Sequence, residues 1–322
     1  MRLVSIAPNP SIDRLYDLDR LRIGAINRPL GETRVAGGKG LNVARAAAAL
    51  GAEVTAIALL AGHAGRWIAD ALADEGIRTR PAWCDGETRS CFAIHDGEDD
   101  SLTELNEAGP TVDAAAWEGF VDTLRAELFD VAVGAIGLVT LSGSLPPGAP
   151  VDGVAQLVAA TGAAGVPIAV DCSGEPLRRA LTERPTIVKL NVAEAAATLA
   201  GAESGGTAEL MALSLARELT VRTGGTTIVT LGLDGAVAAA PDGRLVRVSA
   251  PPLRGSYPVG SGDAFMAGVA TALLRGYSFD AMLRLGAAAA TANALRRGAG
   301  RLEPARVDEL FATTFVEPIG SF

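Results

Sequence analysis

The stretch Pro258 to Gly268, PVGSGDAFMAG, holds the residues best placed to do chemistry. Gly260 and Gly262 let the backbone approach a ligand without a Cβ in the way. The residues that follow have helical spacing, so the free N–H groups and positive dipole end of a helix would face that ligand, an arrangement suited to an anion. Asp263 falls in the first turn of the same helix. A carboxylate beside an anion site pairs a proton acceptor with a phosphoryl donor, although an aspartate there is also an ordinary first-turn residue. The second cluster is Ala36 to Ala46, AGGKGLNVARA, where Lys39 stands among Gly37, Gly38 and Gly40 just ahead of a helix containing Asn42. The G-x-x-x-x-G-K-[ST] spacing of a Walker loop is absent. A lysine among glycines at a helix start still favours an anionic ligand over a plain turn.

These clusters need elements to hold them. Leu3 to Ala7 reads as a buried strand that ends at the turn Pro8-Asn9-Pro10, and Val54 to Leu60 as another strand. Asn42 to Leu50, Arg66 to Glu75, Val151 to Ala163 and Leu210 to Val221 read as helices. Ile168 to Asp171, Thr186 to Leu190 and Thr227 to Leu231 read as strands, and Gly262 to Arg275 and Phe279 to Leu295 as two consecutive helices rich in small residues. Such alternation predicts an α/β fold with a mostly parallel sheet covered by helices. Two segments, Arg14 to Ala36 and Thr88 to Gly109, instead alternate apolar and polar residues and carry turn residues. They are expected to pair outside the main sheet as a small β lid drawn from about 9–36 and 86–109, on one domain spanning 1–322.

Composition narrows the function further. The 28 basic and 37 acidic residues leave a charge of −9, without the basic footprint of a nucleic-acid binder. Anionic ligands would therefore need local cations, amide-lined loops and a metal ion. Three cysteines, Cys84, Cys91 and Cys172, give no disulfide framework, and two histidines, His63 and His95, leave little for a His-rich metal site or a Ser-His-Asp triad. His63, in AGHAGRW, reads as a loop packing residue. No apolar stretch reaches membrane-spanning length, so a cytoplasmic protein without a membrane partner is expected.

The chain resembles the PfkB (ribokinase-like) family of sugar kinases. GGKGLNVA is similar to the family's substrate loop, and SYPVGSGDAFMAG to its C-terminal signature, in which the aspartate is catalytic. Between them LSGSLPPG (Leu141 to Gly148), KLNVAEA (Lys189 to Ala195) and TLGLDGAV (Thr230 to Val237) resemble further family elements in the family's order. The likeness covers about Leu3 to Leu310, with Tyr257, Pro258, Ser261 and Leu190 departing from the usual residues. It implies a ribokinase-like fold, Asp263 as base, and Gly260, Ser261 and Gly262 as the loop that neutralises the transferred phosphate. It implies ATP held near Lys189, Asn191, Thr230, Gly232, Asp234, Gly235, Gly260 and Gly262. Mg²⁺ would lie beside Glu194, through water, and Asn191, since Mg²⁺ keeps several waters and takes few protein ligands.

NPSID (Asn9 to Asp13), INR (Ile26 to Arg28), ETR (Glu87 to Arg89) and TELNEAGP (Thr103 to Pro110) resemble the 1-phosphofructokinase and tagatose-6-phosphate kinase branch. Asp13, Gly37, Gly38 and Asn42 would hold the sugar. Arg28, Lys39, Arg89 and Ser144 would hold its phosphate, a task suited to arginine's fork. The implied reaction converts fructose 1-phosphate to fructose 1,6-bisphosphate. A 6-phosphofructokinase or tagatose-6-phosphate kinase, a kinase of nucleosides or free sugars, and a non-catalytic sugar-phosphate sensor are the alternatives. The cations argue against a free-sugar kinase, and an intact Asp263 argues against a sensor. The positive setting of a helix N-terminus predicts an ionised Asp263 at neutral pH. Exposed edges of the lid sheet would be covered in a homodimer formed through two lids.

Overall fold

The structure is a computed structural model that describes residues 1–129, 135–199 and 207–321. In chain order its elements begin with β1 (Arg2–Ala7), β2 (Ser11–Leu18), β3 (Gly31–Gly37), α1 (Lys39–Ala49), β4 (Val54–Ala61), α2 (Gly62–Asp74) and β5 (Arg78–Cys84). There follow β6 (Arg89–Asp96), β7 (Ser101–Asn106), α3 (Ala114–Phe129), β8 (Ile136–Ser142), α4 (Gly153–Ala163), β9 (Ile168–Asp171), α5 (Gly174–Ala180), β10 (Ile187–Asn191) and α6 (Val192–Leu199). The C-terminal part contains α7 (Ala208–Thr223), β11 (Thr226–Thr230), β12 (Ala236–Ala239), β13 (Arg244–Val248), α8 (Ser261–Leu274), α9 (Phe279–Ala294), α10 (Pro304–Thr313) and β14 (Val316–Ser321).

The main sheet has the order β14-β13-β12-β11-β10-β9-β8-β1-β4-β5. From β11 to β5 the neighbours pair in parallel, while β12, β13 and β14 add an antiparallel edge. Strands of a parallel sheet are covered on both faces and read as unbroken apolar runs. Leu3, Ala56, Ala58, Leu138 and Ile228 pack under α1, α8 and α9, while Val4, Ile57, Leu59, Val139 and Val229 pack under α3, α4 and α7. Small residues let the helices of the first layer approach closely. A Cβ on Gly268 would strike the Leu285 carbonyl in α9, and one on Gly286 would strike the Phe265 ring in α8. Among the described residues no helix is long and apolar enough to cross a membrane.

The second sheet has the order β3-β2-β6-β7, with β2 and β6 parallel and the outer pairs antiparallel. Two segments far apart in sequence thus meet in one sheet, as their alternation predicts. Two helices begin well before their apolar spacing indicates. Helix α1 starts at Lys39 because Gly38, at φ 88°, turns the chain into it. Helix α2 starts at Gly62 because the Glu87 carboxylate, from the far side of β5, accepts the Ala64 N–H, a cap that local spacing does not reveal. His63 is exposed in the first turn of that helix.

Candidate active site

Parallel α/β sheets gather ligand-binding residues at the carboxyl ends of their strands. Here Asp171 ends β9, Asn191 ends β10 and Thr230 ends β11. The N-termini of α1 and α8 open at the same rim, and one face of the second sheet forms the opposite wall. The result is a cleft of about 680 Å³.

The α8 end is built around Gly260, whose φ of 83° belongs to the left-handed region, so the chain enters the helix by a turn that other residues adopt at a cost. A Cβ there would also strike Ala299. Asn293 holds the turn from beneath, donating to the Val259 carbonyl at 2.9 Å and accepting from Gly300 N at 2.8 Å. Asp263 follows in the first turn, 6% exposed, and its Oδ2 accepts from Asn42 Nδ2 at 2.9 Å. That hydrogen bond links the two glycine clusters, 221 positions apart at these residues.

The charges run along the floor. Asp171 is 1% exposed and takes Lys189 Nζ at 2.6 Å on one oxygen and Lys39 Nζ at 3.2 Å on the other. Lys39 also reaches Glu194 Oε1 at 2.9 Å. Burial alone would raise the Asp171 pKa, but the two ammonium groups outweigh it and hold the carboxylate below its ordinary range. Lys39 is raised, chiefly by Asp171 against the cost of its own burial, and stays cationic.

Asp263 corrects an expectation. Burial, followed by repulsion from Asp171, pushes its pKa up to about 7, against the pull of Lys39, Asn42 and Lys189. The helix end does not dominate, and both lysines are already engaged by other carboxylates. At neutral pH the group is poised between its two forms, where a proton acceptor works well.

On the opposite wall Asp13 accepts from Ser11 Oγ and, at 3.2 Å, from Gly38 N. Burial raises its pKa despite these bonds. Gly37 leaves room for it, since a Cβ there would overlap the Asp13 carboxylate. Arg89 donates to the carbonyls of Glu107 and Asn9, each at 3.0 Å, and its Nε is buried without a hydrogen-bond partner.

Most of the residues singled out from sequence meet in this cleft: Asp13, Gly38, Lys39, Asn42 and Arg89 on one side, with Lys189, Asn191, Glu194, Thr230, Gly232, Gly235, Gly260, Ser261, Gly262 and Asp263 along the rest. Ser144 stands beside it, exposed, with its Oγ 3.5 Å from Asn9 Nδ2. Asp234 is exposed in the turn after β11. Arg28 is not brought to the cleft. It lies exposed in the irregular 19–30 segment between β2 and β3, where spacing gave no means of placing it. Asn191 Oδ1 accepts from Glu194 N and Glu194 Oε2 from Asn191 N, a reciprocal cap at the start of α6. Sequence reading missed Asp171 and Arg45. Asp171 closes a strand in VDCSG, and its position at a strand's carboxyl end was the available signal.

A deep cleft at the carboxyl edge of a parallel sheet, with an amide-lined helix start, paired lysines and a buried carboxylate of raised pKa, is the site of a phosphoryl-transfer enzyme. The profile of the pfkB family carbohydrate kinases matches residues 7–306, and the chain belongs to that family. Kinases of this family take their phosphoryl group from ATP. Among solved structures, phosphofructokinase-2 from Escherichia coli in complex with fructose-6-phosphate superposes with a TM-score of 0.86 at 25% identity, covering 97% of this chain and 98% of that one. A possible 1-phosphofructokinase from Thermotoga maritima gives 0.89 at 22% identity over 99% and 100% of the two chains. Ribokinase from Arabidopsis thaliana gives 0.75 at 23% identity over 96% and 98%.

Proposed function

We propose that the protein transfers the γ-phosphoryl group of ATP to a hexose phosphate, with fructose 1-phosphate as its preferred acceptor. The observation that carries this reading is the junction at Asp263, whose carboxylate meets the sugar-loop residue Asn42 at 2.9 Å in a cleft whose other wall carries Asp13 and Arg89. The sugar lies against Asp13 and Asn42, with its phosphate toward Arg89 and Lys39. Ser144, beside the cleft, is a further donor for that phosphate. ATP lies along Lys189, Asn191, Thr230, Gly232, Asp234 and Gly235. The second sheet acts as a lid on the one domain.

In the reaction the acceptor hydroxyl gives its proton to Asp263 as its oxygen bonds to the γ-phosphorus. The bond from that phosphorus to the bridging oxygen breaks, and ADP leaves with the electron pair. The amides of Gly260 and Gly262, at the turn closed by the Ser261 N–H on the Pro258 carbonyl, and the Lys39 ammonium neutralise the charge on the phosphoryl oxygens, which supplies most of the catalysis in phosphoryl transfer. Asp263 then releases its proton to water. Among the described residues no cluster of three or more His, Cys, Asp or Glu side chains could cage a metal. Glu194, a partly exposed carboxylate at the cleft, fits the habit of Mg²⁺, which binds through water, one carboxylate and substrate phosphates. Bound there beside Asn191, Mg²⁺ would shield the charge of the ATP phosphates.

The cations separate this reading from a kinase of free sugars. Fructose 1-phosphate should exceed free fructose and ribose in kcat/KM by at least about 30–150-fold, the worth of one desolvated charge-assisted contact to phosphate. Equal turnover of ribose and fructose 1-phosphate would contradict it. Fructose 6-phosphate is the second acceptor to test, because the Escherichia coli relative at 25% identity is bound to it. The same reading pairs two copies through the outer face of the second sheet. There Tyr16 stacks on Phe92, and Leu105 and the loop residues Ile23, Ile26 and Leu30 are exposed. Sedimentation velocity should show a dimer at micromolar concentration, and a monomer would exclude that pairing.

A further inference from the structure

Arg45 lies one turn after Asn42 on α1 and is 6% exposed. A buried guanidinium is costly unless its donors are used. Its Nε donates to Glu75 Oε2 at 2.8 Å, its Nη2 to the Ala36 carbonyl, and its Nη1 to the Ala299 carbonyl at 3.2 Å. An arginine that only braced α1 against the loops on either side would make these three contacts. The same Nη1 also reaches Asn42 Oδ1 at 3.4 Å, and Asn42 touches Asp263.

The asparagine amide has nearly the same shape with its oxygen and nitrogen exchanged, so packing alone does not choose between them. The neighbours do. Guanidinium can only donate, so Oδ1 must face Arg45. The NH₂ group is then left facing Asp263 Oδ2. A protonated Asp263 could meet that NH₂ only with its carbonyl oxygen, a weaker acceptor, whereas a carboxylate accepts strongly with either oxygen, so a fixed donor there favours the charged form.

We propose that Arg45 is a positioning residue for the reaction: it locks the Asn42 amide with NH₂ toward Asp263, so that Oδ2 must accept and the form that can take the substrate's proton is favoured. The proposal rests on the reading of Asp263 as the base. The charged groups facing Asp263 are Asp171 from β9, Lys39 from α1 and Lys189 from β10. Those facing Arg45 are Glu75 after α2, Arg301 after α9 and Asp13 from β2. Burial and Asp171 drive a proton onto Asp263, and both lysines are shared with other carboxylates. The Asn42 NH₂ is the side-chain hydrogen bond that opposes them directly.

The test is a carbon-13 NMR titration of the Asp263 carboxyl carbon, assigned with Asp263→Asn, in the wild type, Arg45→Met and Arg45→Lys. Losing the cation should move the Asp263 midpoint up by about one pH unit or more, because the charged form loses its fixed donor. Lysine, also donor-only, should restore most of the shift. The acidic limb of the kcat/KM profile should move in parallel, while kcat at about pH 9, where Asp263 is ionised in each protein, changes far less. A midpoint in Arg45→Met within about 0.3 units of the wild type would overturn the proposal, whatever happened to stability. Should Arg45→Met fail to fold, the wild type still decides. The Asn42 side-chain NH₂ resonances must titrate with the Asp263 midpoint, and resonances indifferent to it would overturn the proposal equally. The titration reads a proton rather than turnover. An Asp263→Asn variant of undiminished activity would instead remove the base itself and leave this result standing.

Discussion

Asp263→Asn should lower kcat by about 10²–10⁴-fold, the usual worth of a positioned base, and leave the affinities for ATP and sugar phosphate close to the wild type. Asparagine keeps the shape and can still accept from Asn42, but it cannot take a proton. The same substitution should stabilise the protein. In the fold Asp263 has its pKa raised from 3.8 to about 7, so the folded state binds more protons than the unfolded state between those values. Wild-type stability therefore falls as pH rises through that window, and the full cost of the buried charge is present above it. Asparagine carries no such cost. The variant should gain on the order of 1–3 kcal/mol at about pH 8, seen as a Tm raised by a few degrees, and the gain should shrink toward about pH 5. Wild-type kcat/KM should itself fall as pH drops through about 7, as the base takes up its proton. An aspartate that merely capped α8 forecasts something else, because asparagine caps as well and neither kcat nor the pH dependence of Tm would change. A variant with near wild-type kcat would remove Asp263 from the mechanism.

Arg89→Ala should raise KM for the sugar phosphate by about 30–150-fold, the equivalent of losing one desolvated charge-assisted bond, with KM for ATP changed far less. Two of the arginine's donors are committed to the Glu107 and Asn9 carbonyls, which fixes the head group at the wall of the cleft and leaves the rest of the fork for a ligand. Its buried Nε has no hydrogen-bond partner. Part of the loss in alanine will therefore be a looser β6 edge. Comparison with free fructose separates the two contributions, since a loosened edge weakens both acceptors and a lost phosphate contact weakens only the phosphorylated one. A rise confined to KM for ATP would place the acceptor elsewhere.

The parallel core was legible at β1, β4, β9, β10 and β11, which are continuous apolar runs, and at α1 and α8, which follow glycine clusters. The second sheet was legible because its strands alternate while the core strands do not. What pattern could not supply was partnership. Asp171 looks like any strand-ending aspartate until Lys39, 132 positions away, and Lys189, 18 away, close on it. The poise of Asp263 depends on that same cluster. The local motif, a carboxylate at a helix start, pointed to an ionised group, and desolvation with a neighbouring charge reversed the sign. Arg45 sits in the alanine-rich run NVARAAAAL, where the pattern reports a helix and nothing about which carbonyls an arginine will find. Arg28 shows the converse, a residue placed by resemblance in a segment whose course no periodicity defines.

Phosphorus-31 NMR of the enzyme with fructose 1-phosphate, ATP and Mg²⁺ follows the phosphoryl group itself. Signals of ADP and of a second sugar phosphomonoester should grow together, one of each per ATP consumed, with Asp263→Asn producing neither on the same timescale. ATP that stays intact beside every hexose phosphate offered, under conditions where the protein is folded and binds both, would show that the protein is not a hexose-phosphate kinase.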